Sequence, residues 1–247
     1  MIIFDNVWFN YGSHQILKDI SFSVNSNERI TVLGGSGEGK TTILRLILGL
    51  VKPDSGKIFI NGEDITDKTE DELRQVRMNF SIVFQEGALF DSLNVKENVA
   101  FCLREYNKTM SEDELDSKVR ELLRIVGVED AIELMIEELS GGMQRRVAIA
   151  RSLAASEPKM FLYDEPTSGL DPINADNICK LILELSQKER GFIIVTHKVF
   201  DALKVADRFI FLKDGKVVFD GSKEKLVKAD IPDIKLFMEE LDFKISI

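Results

Sequence analysis

Several features that would assign the chain to a particular class are scarce or missing in its 247 residues. Its only cysteines, Cys102 and Cys179, lie in apolar stretches, which argues against a disulfide framework and fits a reducing compartment. No run of about 18 apolar residues occurs, so we expect no bilayer-spanning helix. The start, MIIFDNVWFNYG, lacks a basic region followed by a long apolar one, so we expect no signal peptide. If the protein works at a membrane, another chain must supply the spanning part.

Positive charge is also in deficit, since 32 Lys and Arg face 42 Asp and Glu for a net charge of −10. This balance argues against a broad basic face, and we predict no nucleic-acid partner. A site for a phosphate group needs only a local positive field, so a phosphate-bearing ligand is compatible with this composition.

The pattern of apolar residues predicts an α/β fold with a mostly parallel sheet covered on both sides. The length suits one substantial core, and strands alternate with helices in the first and last thirds. The expected strands are 2–9, 29–33, 57–60, 160–163, 192–195, 209–212 and 217–219. The expected helices are 40–50, one after the capping box Ser111–Glu114, 141–155, 175–189 and 199–205, with one or two short helices from Lys223 onwards.

One segment fits the phosphate-loop pattern G-x-x-x-x-G-K-[ST], and it lies between a predicted strand and a predicted helix. Its glycines let backbone N–H groups turn towards a phosphate, and the following helix points its positive end there. Lys40 would reach the β- and γ-phosphates, and Thr41 would hold Mg²⁺. The predicted nucleotide-binding residues are Gly34, Gly35, Ser36, Gly37, Glu38, Gly39, Lys40, Thr41 and Thr42.

A predicted strand, Met160–Tyr163, ends in two adjacent acids, Asp164 and Glu165. A buried strand rarely ends in paired carboxylates unless a cation is nearby. Asp164 would complete the Mg²⁺ shell through water, and Glu165 would polarise the attacking water as a general base. An ordinary strand–loop boundary is the alternative interpretation.

The segment Leu139-Ser-Gly-Gly-Met-Gln144 opens the predicted helix 141–155. Free N–H groups at its start could bind an anion, although an ordinary Ser N-cap would have the same sequence. Taken together with the phosphate loop and the acidic pair, the chain resembles the nucleotide-binding subunits of ABC transporters from Ile2 to about Ser222.

This resemblance implies a P-loop NTPase (RecA-like) core with an antiparallel β subdomain and an inserted α-helical signature subdomain. The ATPase domain would span 1–222, with the helical subdomain at about 86–156, and 223–247 would form a short helical tail. The resemblance also implies that Ser140, Gly141 and Gly142 contact the γ-phosphate of ATP held by a second copy. Two copies would therefore sandwich ATP between them.

Four further residues match motifs of the family. Tyr11 corresponds to the aromatic residue that stacks on adenine, although a surface tyrosine in a turn is the alternative. Gln85 matches the glutamine that touches Mg²⁺ and the attacking water, and Asp171 matches the loop that links the two sites. His197 matches the histidine that contacts the γ-phosphate. One departure is Met143, which separates Gln144 from the two glycines and weakens any role carried over for that glutamine.

The chain resembles the Mla/Mce-associated lipid-transport ATPases in three stretches: 86–101, the signature 139–143 with Arg145 or Arg146, and the C-terminal segments 219–222 and 230–237. This implies a permease docking near Gln85–Val95, an Mce-type substrate-binding protein, possible contact with a small regulator, and a place on the cytoplasmic face of the inner membrane. Leu89 and Phe90 could instead be subdomain core. The alternatives are the ATPase of a polar-solute importer, such as one for amino acids, or a division-type ATPase outside transport.

Overall fold

The computed structural model describes residues 1–106, 108–155, 158–186 and 190–245. Its strands are β1 Ile2–Tyr11, β2 His14–Val24, β3 Arg29–Leu33, β4 Ser55–Ile60, β5 Glu63–Asp64, β6 Phe80–Val83, β7 Met160–Asp164, β8 Gly191–Thr196, β9 Arg208–Lys213 and β10 Lys216–Ser222. Its α-helices are α1 Lys40–Ile47, α2 Glu70–Arg77, α3 Val95–Tyr106, α4 Glu112–Val126, α5 Gly141–Ala154, α6 Pro172–Leu185, α7 Val199–Val205, α8 Lys223–Val227 and α9 Pro232–Ile245.

The larger sheet has the strand order β10-β9-β3-β8-β7-β6, and all of its pairs are parallel except β10 with β9. Every residue of β7 (MFLYD) and β8 (GFIIVT) is buried. Near-continuous apolar sequence of this kind is typical of parallel strands covered by other elements on both faces. The predicted α/β class with a mostly parallel sheet is confirmed.

The smaller sheet is antiparallel, in the order β2-β1-β4-β5. Ile2 of β1 pairs with Val24 on one side and with Ile60 on the other. The rings of Phe4 and Phe22 stack across β1 and β2 with centroids 4.7 Å apart. The inward side chains of this sheet share one apolar core with α1 and with one face of the larger sheet.

Helices α3, α4 and α5 pack against one another on the other side of the larger sheet. The capping box predicted for α4 is present, since Ser111 Oγ accepts from Glu114 N at 3.3 Å and Glu114 Oε2 accepts from Ser111 N at 2.9 Å. Gly127 ends α4 in the left-handed conformation. The helix buries the predicted stripe of Leu115, Val119, Leu122, Leu123 and Val126.

The chain ends in two helices, α8 and α9. Ile234 of α9 is buried, and the ring of Phe237 meets that of Phe211 in β9 edge-on at 5.1 Å. The predicted helix 175–189 begins earlier, at Pro172, and its expected last residues, 187–189, lie outside the described residues. Along the described parts of the chain, no helix combines the length and the apolar character needed to cross a bilayer.

The carboxyl ends of the parallel strands place the predicted site. Gly34 follows β3, Gln85 lies just after β6, Glu165 follows β7 and His197 follows β8. Because parallel strands end at the same edge of a sheet, residues separated by up to 163 positions meet there.

Candidate nucleotide site

The phosphate loop lies between β3 and α1 and carries Lys40 folded back over it. Lys40 Nζ donates to the carbonyl oxygens of Gly34 at 2.9 Å and Gly35 at 2.8 Å. Helix α1 begins after Gly39 with no side-chain cap, so its first N–H groups are available to an anion. The loop therefore combines free backbone donors with an ammonium group, as a phosphate site requires.

Gly39 is required by both conformation and space. Its φ of 92° is in the region that residues with a Cβ rarely adopt. A methyl group built there would meet Leu17 Cδ2 at 2.6 Å and Ile16 Cγ2 at 2.9 Å. Strand β2 of the antiparallel sheet therefore packs tightly against the turn that leads into α1.

Lys40 lies in a buried electrostatic environment with two acids. It is 7% exposed, and its Nζ is 3.8 Å from Glu165 Oε1. Burial lowers the pKa of Lys40, while the charges of Glu165 and Asp164 oppose that shift. The ammonium group is thus balanced by carboxylates that an incoming phosphate would rearrange.

Asp164 contacts the loop directly, because Thr41 Oγ1 donates to its Oδ1 at 3.0 Å. The side chain is almost fully buried, and this burial raises the pKa of Asp164, with a further rise from the neighbouring Glu165 and an opposing effect of the Thr41 hydrogen bond. The Asp164 carboxylate bonded to the Thr41 hydroxyl, and the amide of Gln85 in the same cleft as Thr41, offer oxygen donors, which fit Mg²⁺ better than softer metals.

Glu165 is held by three donors from the end of β8. Thr196 Oγ1 donates to its Oε2 at 2.7 Å, and the backbone N–H of His197 donates to Oε1 at 3.1 Å. His197 Nδ1 lies 2.9 Å from the same Oε1. The backbone of Glu165 has a φ of 48°, which is uncommon for a residue with a side chain. The carboxylate is therefore fixed in orientation at the edge of the sheet.

These groups face a cleft of about 340 Å³. Tyr11 stands at its rim, 43% exposed, with its hydroxyl accepting from Arg45 Nη1 at 3.0 Å. A half-exposed ring beside a phosphate loop can offer a face to a base. The residues that line the cleft are Tyr11, Ile16, Ser36, Gly37, Gly39, Lys40, Thr41, Thr42, Gln85, Glu165 and His197.

The signature residues, Ser140, Gly141 and Gly142, lie outside the lining of this cleft. Among the described residues, the lining of the cleft does not include Ser140, Gly141, Gly142 or Asp171. Ser140 caps α5, and its exposed side chain accepts from Met143 N at 3.3 Å. The start of α5 is thus open to solvent, where a second molecule can reach it.

Two helices meet at the signature. A methyl group at Gly142 would come within 2.8 Å of Asn174 Oδ1, so a larger residue there would displace the Asn174 amide. Asp171 caps the other helix, α6, and accepts from the N–H groups of Ile173 and Asn174, each at 3.0 Å. These bonds lower the pKa of Asp171, the bond from Asn174 contributing most.

The two residues after the glycines have structural contacts. Met143 packs against the helical core, and Gln144 Nε2 donates to the carbonyl oxygen of Ile136 at 2.9 Å. Gln144 therefore stabilises the turn that precedes the signature. With Met143 between it and the two glycines, the glutamine makes its contact within its own chain.

Two arginines of helix α5 donate hydrogen bonds to the segment that follows β6. Arg145 Nη1 donates to Phe84 O at 2.9 Å, and Arg151 Nη2 donates to Gly87 O at 3.2 Å. Arg145 is buried, and burial lowers the pKa of its guanidinium group. Gln85 lies between these two anchor points, so a shift of α5 would be transmitted to it.

Two functional side chains were missed by the sequence. Thr196, whose hydroxyl orients Glu165, directly precedes His197, and this position was its only sequence signal. Asn98 is fully buried, accepts from Phe90 N at 2.8 Å and donates to the carbonyl oxygens of Phe90, Leu93 and Asn94. Its only sequence signal was a polar residue on the apolar face of α3.

A phosphate loop after β3, a histidine after the neighbouring strand β8 and paired acids at the end of the next strand, β7, define a P-loop ATPase. A model of the family described as ABC transporter matches residues 17–168, more than half of the chain. The chain belongs to the ABC transporter family and is its ATP-binding, ATP-hydrolysing cassette.

Individual relatives agree with this membership. The chain is 40% identical over 235 residues, 95% of its length and 87% of the relative's, to the intermembrane phospholipid transport system ATP-binding protein MlaF of Escherichia coli K12. It is 37% identical, over an alignment of 248 positions, to the chloroplastic protein TRIGALACTOSYLDIACYLGLYCEROL 3 of Arabidopsis thaliana. That alignment covers 94% of this chain and 71% of the relative. A solved dimeric structure of the ATP-binding cassette MJ0796 with ADP and Pi superposes with a TM-score of 0.81 at 32% identity, over 90% of this chain and 98% of that one.

Proposed function

We propose that this ATPase drives lipid transport, with phospholipid as the cargo, through a separate permease. One observation carries the ATPase part: Lys40, Thr41 and Glu165 converge on one cleft although they come from distant parts of the chain. Similarity to a phospholipid transport ATPase along 95% of the chain supports the lipid part.

Catalysis would depend on positioning and charge rather than on covalent chemistry. Lys40 would offset the negative charge that develops on the transferred phosphoryl group. Glu165, held by Thr196 and His197, would orient the attacking water and accept its proton. His197 is the exposed member of this pair, with 47% of its side chain accessible, so it can contact the γ-phosphate from the rim.

The oxygen donors near the loop suit Mg²⁺. Thr41, Gln85 and, through water, Asp164 would hold the ion, which neutralises charge on the β- and γ-phosphate oxygens when bound. Tyr11 would stack on adenine, and backbone N–H groups of 34–42 would cradle the phosphates.

The exposed position of the signature supports a dimer in which each copy completes the other's site. Ser140, Gly141 and Gly142 would contact the γ-phosphate in the partner, and Asp171 would connect the two sites. A related cassette is a dimer in its solved structure, which supports this arrangement. ATP would close the pair, and hydrolysis would let it reopen.

Permease docking is proposed at Gln85–Val95. Phe90 is 40% exposed and Phe101 is 49% exposed, and their rings meet at 4.9 Å beneath Arg151, which lies 5.3 Å from the Phe90 ring centroid. Leu89 is partly buried against the helical core, so the apolar surface is presented mainly by the two rings. A coupling helix of the permease would pack on them.

The wider setting follows from the same similarity. The ATPase domain would span 1–222, with a helical subdomain at about 86–156 and a tail at 223–247. The protein would bind the cytoplasmic face of the inner membrane through the permease, with an Mce-type substrate-binding protein and a small regulator as further partners.

The test is mass spectrometry of the proteins and lipids that co-purify with the Glu165→Gln variant from source membranes. A lipid-system permease and Mce-type protein are expected, and the double variant that adds Phe90→Ser should lose both. A permease with a polar-solute binding protein would overturn the lipid proposal but keep the ATPase, and recovery of a division protein instead would overturn transport.

A further inference from the structure

The phosphate loop contains an acid, Glu38, whose charge has the wrong sign for a site that binds phosphate. Its side chain is only 16% exposed and lies against the loop. A methyl group built on Gly35 would meet Glu38 Cγ at 3.7 Å. The carboxylate also acts on Lys40, since it is among the charges that oppose the burial-induced fall in the pKa of that ammonium group. Left without compensation, Glu38 would weaken the binding of a polyanion.

A lysine from another element provides the compensation. Lys213 ends β9, and its Nζ lies 3.5 Å from Glu38 Oε1. Strand β9 approaches the loop closely here, because a methyl group on Gly34 would come within 2.7 Å of Leu212 O. The charge of Glu38 raises the pKa of Lys213, with further contributions from Asp233 and Asp214.

The same lysine is shared with the C-terminal helix. Its Nζ is also 3.5 Å from Oδ1 of Asp233, in the first turn of α9. Helix α9 is fixed in place by the buried Ile234 and by the contact of Phe237 with Phe211 of β9. Docking of α9 therefore places a second carboxylate on the cation that serves the phosphate loop.

We propose that Lys213 is a positioning residue for ATP binding, which offsets Glu38 in the phosphate loop, and that the docked helix α9 tunes this effect through Asp233. The proposal rests on the proposed nucleotide site. Glu38 and Asp233 both pair with Lys213. Removing Asp233 therefore leaves the lysine paired with Glu38 alone, and it also removes a negative charge near the site. Removing Lys213 leaves both carboxylates uncompensated. The two changes therefore act on ATP affinity with opposite signs.

The experiment measures the Kd for Mg-ATP and for AMP with the full chain. Lys213→Met should raise the Kd for ATP about three- to tenfold, and Asp233→Asn should lower it about twofold, as expected for partly screened charges. The Kd for AMP should change less in both, since the effect scales with phosphate charge. Lys213→Arg should remain within about twofold of wild type, and adding Glu38→Gln to Lys213→Met should restore binding.

Two matched variants control for the loss of a charge alone. Lys216→Met removes a cation from the exposed start of β10, and Asp91→Asn removes an anion from an exposed position outside α9. Neither should shift the Kd for ATP. Equal Kd values for wild type and Lys213→Met, or a loss of affinity that Glu38→Gln does not relieve, would overturn the role of Lys213. Failure of the wild-type chain to bind ATP would instead refute the nucleotide site itself.

Discussion

His197 Nδ1 lies 2.9 Å from Oε1 of Glu165, and this contact sets the hydrogen-bonding role of that ring nitrogen. A carboxylate only accepts hydrogen bonds, so the Nδ1 nitrogen donates. The second ring nitrogen, Nε2, is then left for another partner, and 47% of the side chain is accessible for that purpose. Glu165 and His197 therefore act as a pair, in which the acid orients the ring and the ring limits the freedom of the acid.

Replacing Glu165 by glutamine should slow ATP turnover about 10²- to 10⁴-fold, because the amide cannot accept the proton of the attacking water. Nucleotide binding should persist, since the phosphate loop is intact. Steady-state hydrolysis and a separate Kd for ATP measure the two effects. Lys40→Ala is the comparison, because it should weaken ATP binding itself. Unchanged turnover in Glu165→Gln would exclude Glu165 as the base.

Replacing Thr196 by valine removes the hydroxyl that donates to Glu165 Oε2 at 2.7 Å while preserving shape. We expect kcat to fall about three- to thirtyfold with little change in KM, since a misaligned base loses efficiency. Thr31→Val is the matched control, because Thr31 is equally buried and its hydroxyl has no hydrogen-bond partner among the described residues. A similar fall in kcat for both variants would indicate a general packing effect instead.

Replacing Asp164 by asparagine should stabilise the nucleotide-free protein at neutral pH. Burial raises the pKa of Asp164 above its ordinary value, so the ionised form is disfavoured by folding, and that cost disappears as pH falls through the raised pKa. The gain in melting temperature should therefore shrink from pH 8 towards about pH 4. Thermal unfolding across this range measures it, with the exposed Asp91→Asn as control. A gain that is the same at every pH would contradict the assignment.

Replacing Asn98 by alanine should lower the free energy of unfolding by about 2–4 kcal/mol, because buried donors and acceptors of Phe90, Leu93 and Asn94 lose their partner. Urea unfolding measures this, and the exposed Asn27→Ala should change little. Basal ATP hydrolysis should be affected less than stability, since Asn98 does not line the nucleotide cleft. A stability equal to wild type would show that other contacts hold 90–94.

The phosphate loop and the acidic pair could be predicted because each is a local pattern. The phosphate loop requires a glycine at position 39 and a helix directly after it, and both are visible in consecutive residues. Asp164 is recognised because it ends an apolar strand. Strand β2 was not predicted, since Lys18 and Asp19 interrupt its apolar pattern and Asp19 has a φ of 56°. Helix α3 was missed for a related reason, because its buried face includes the polar Asn98.

Partnerships across the sheet could not be predicted from the sequence. The bond between Thr196 and Glu165 depends on the pairing of β7 with β8, and the contact of Lys213 with Glu38 depends on the pairing of β3 with β9. Neither pairing is encoded in neighbouring residues. The sequence therefore predicts candidate chemical residues but not the side chains that orient them.

Because Ser140 does not line the cleft of its own chain, a substitution there and a substitution at Lys40 affect different sites in the proposed dimer. A mixed dimer with Lys40→Ala in one copy and Ser140→Arg in the other would carry both defects in a single site and keep the second site whole. If one chain carried both substitutions and its partner were wild type, each of the two sites would contain one defect. The proposed dimer therefore predicts genetic complementation between an allele with Lys40→Ala and an allele with Ser140→Arg.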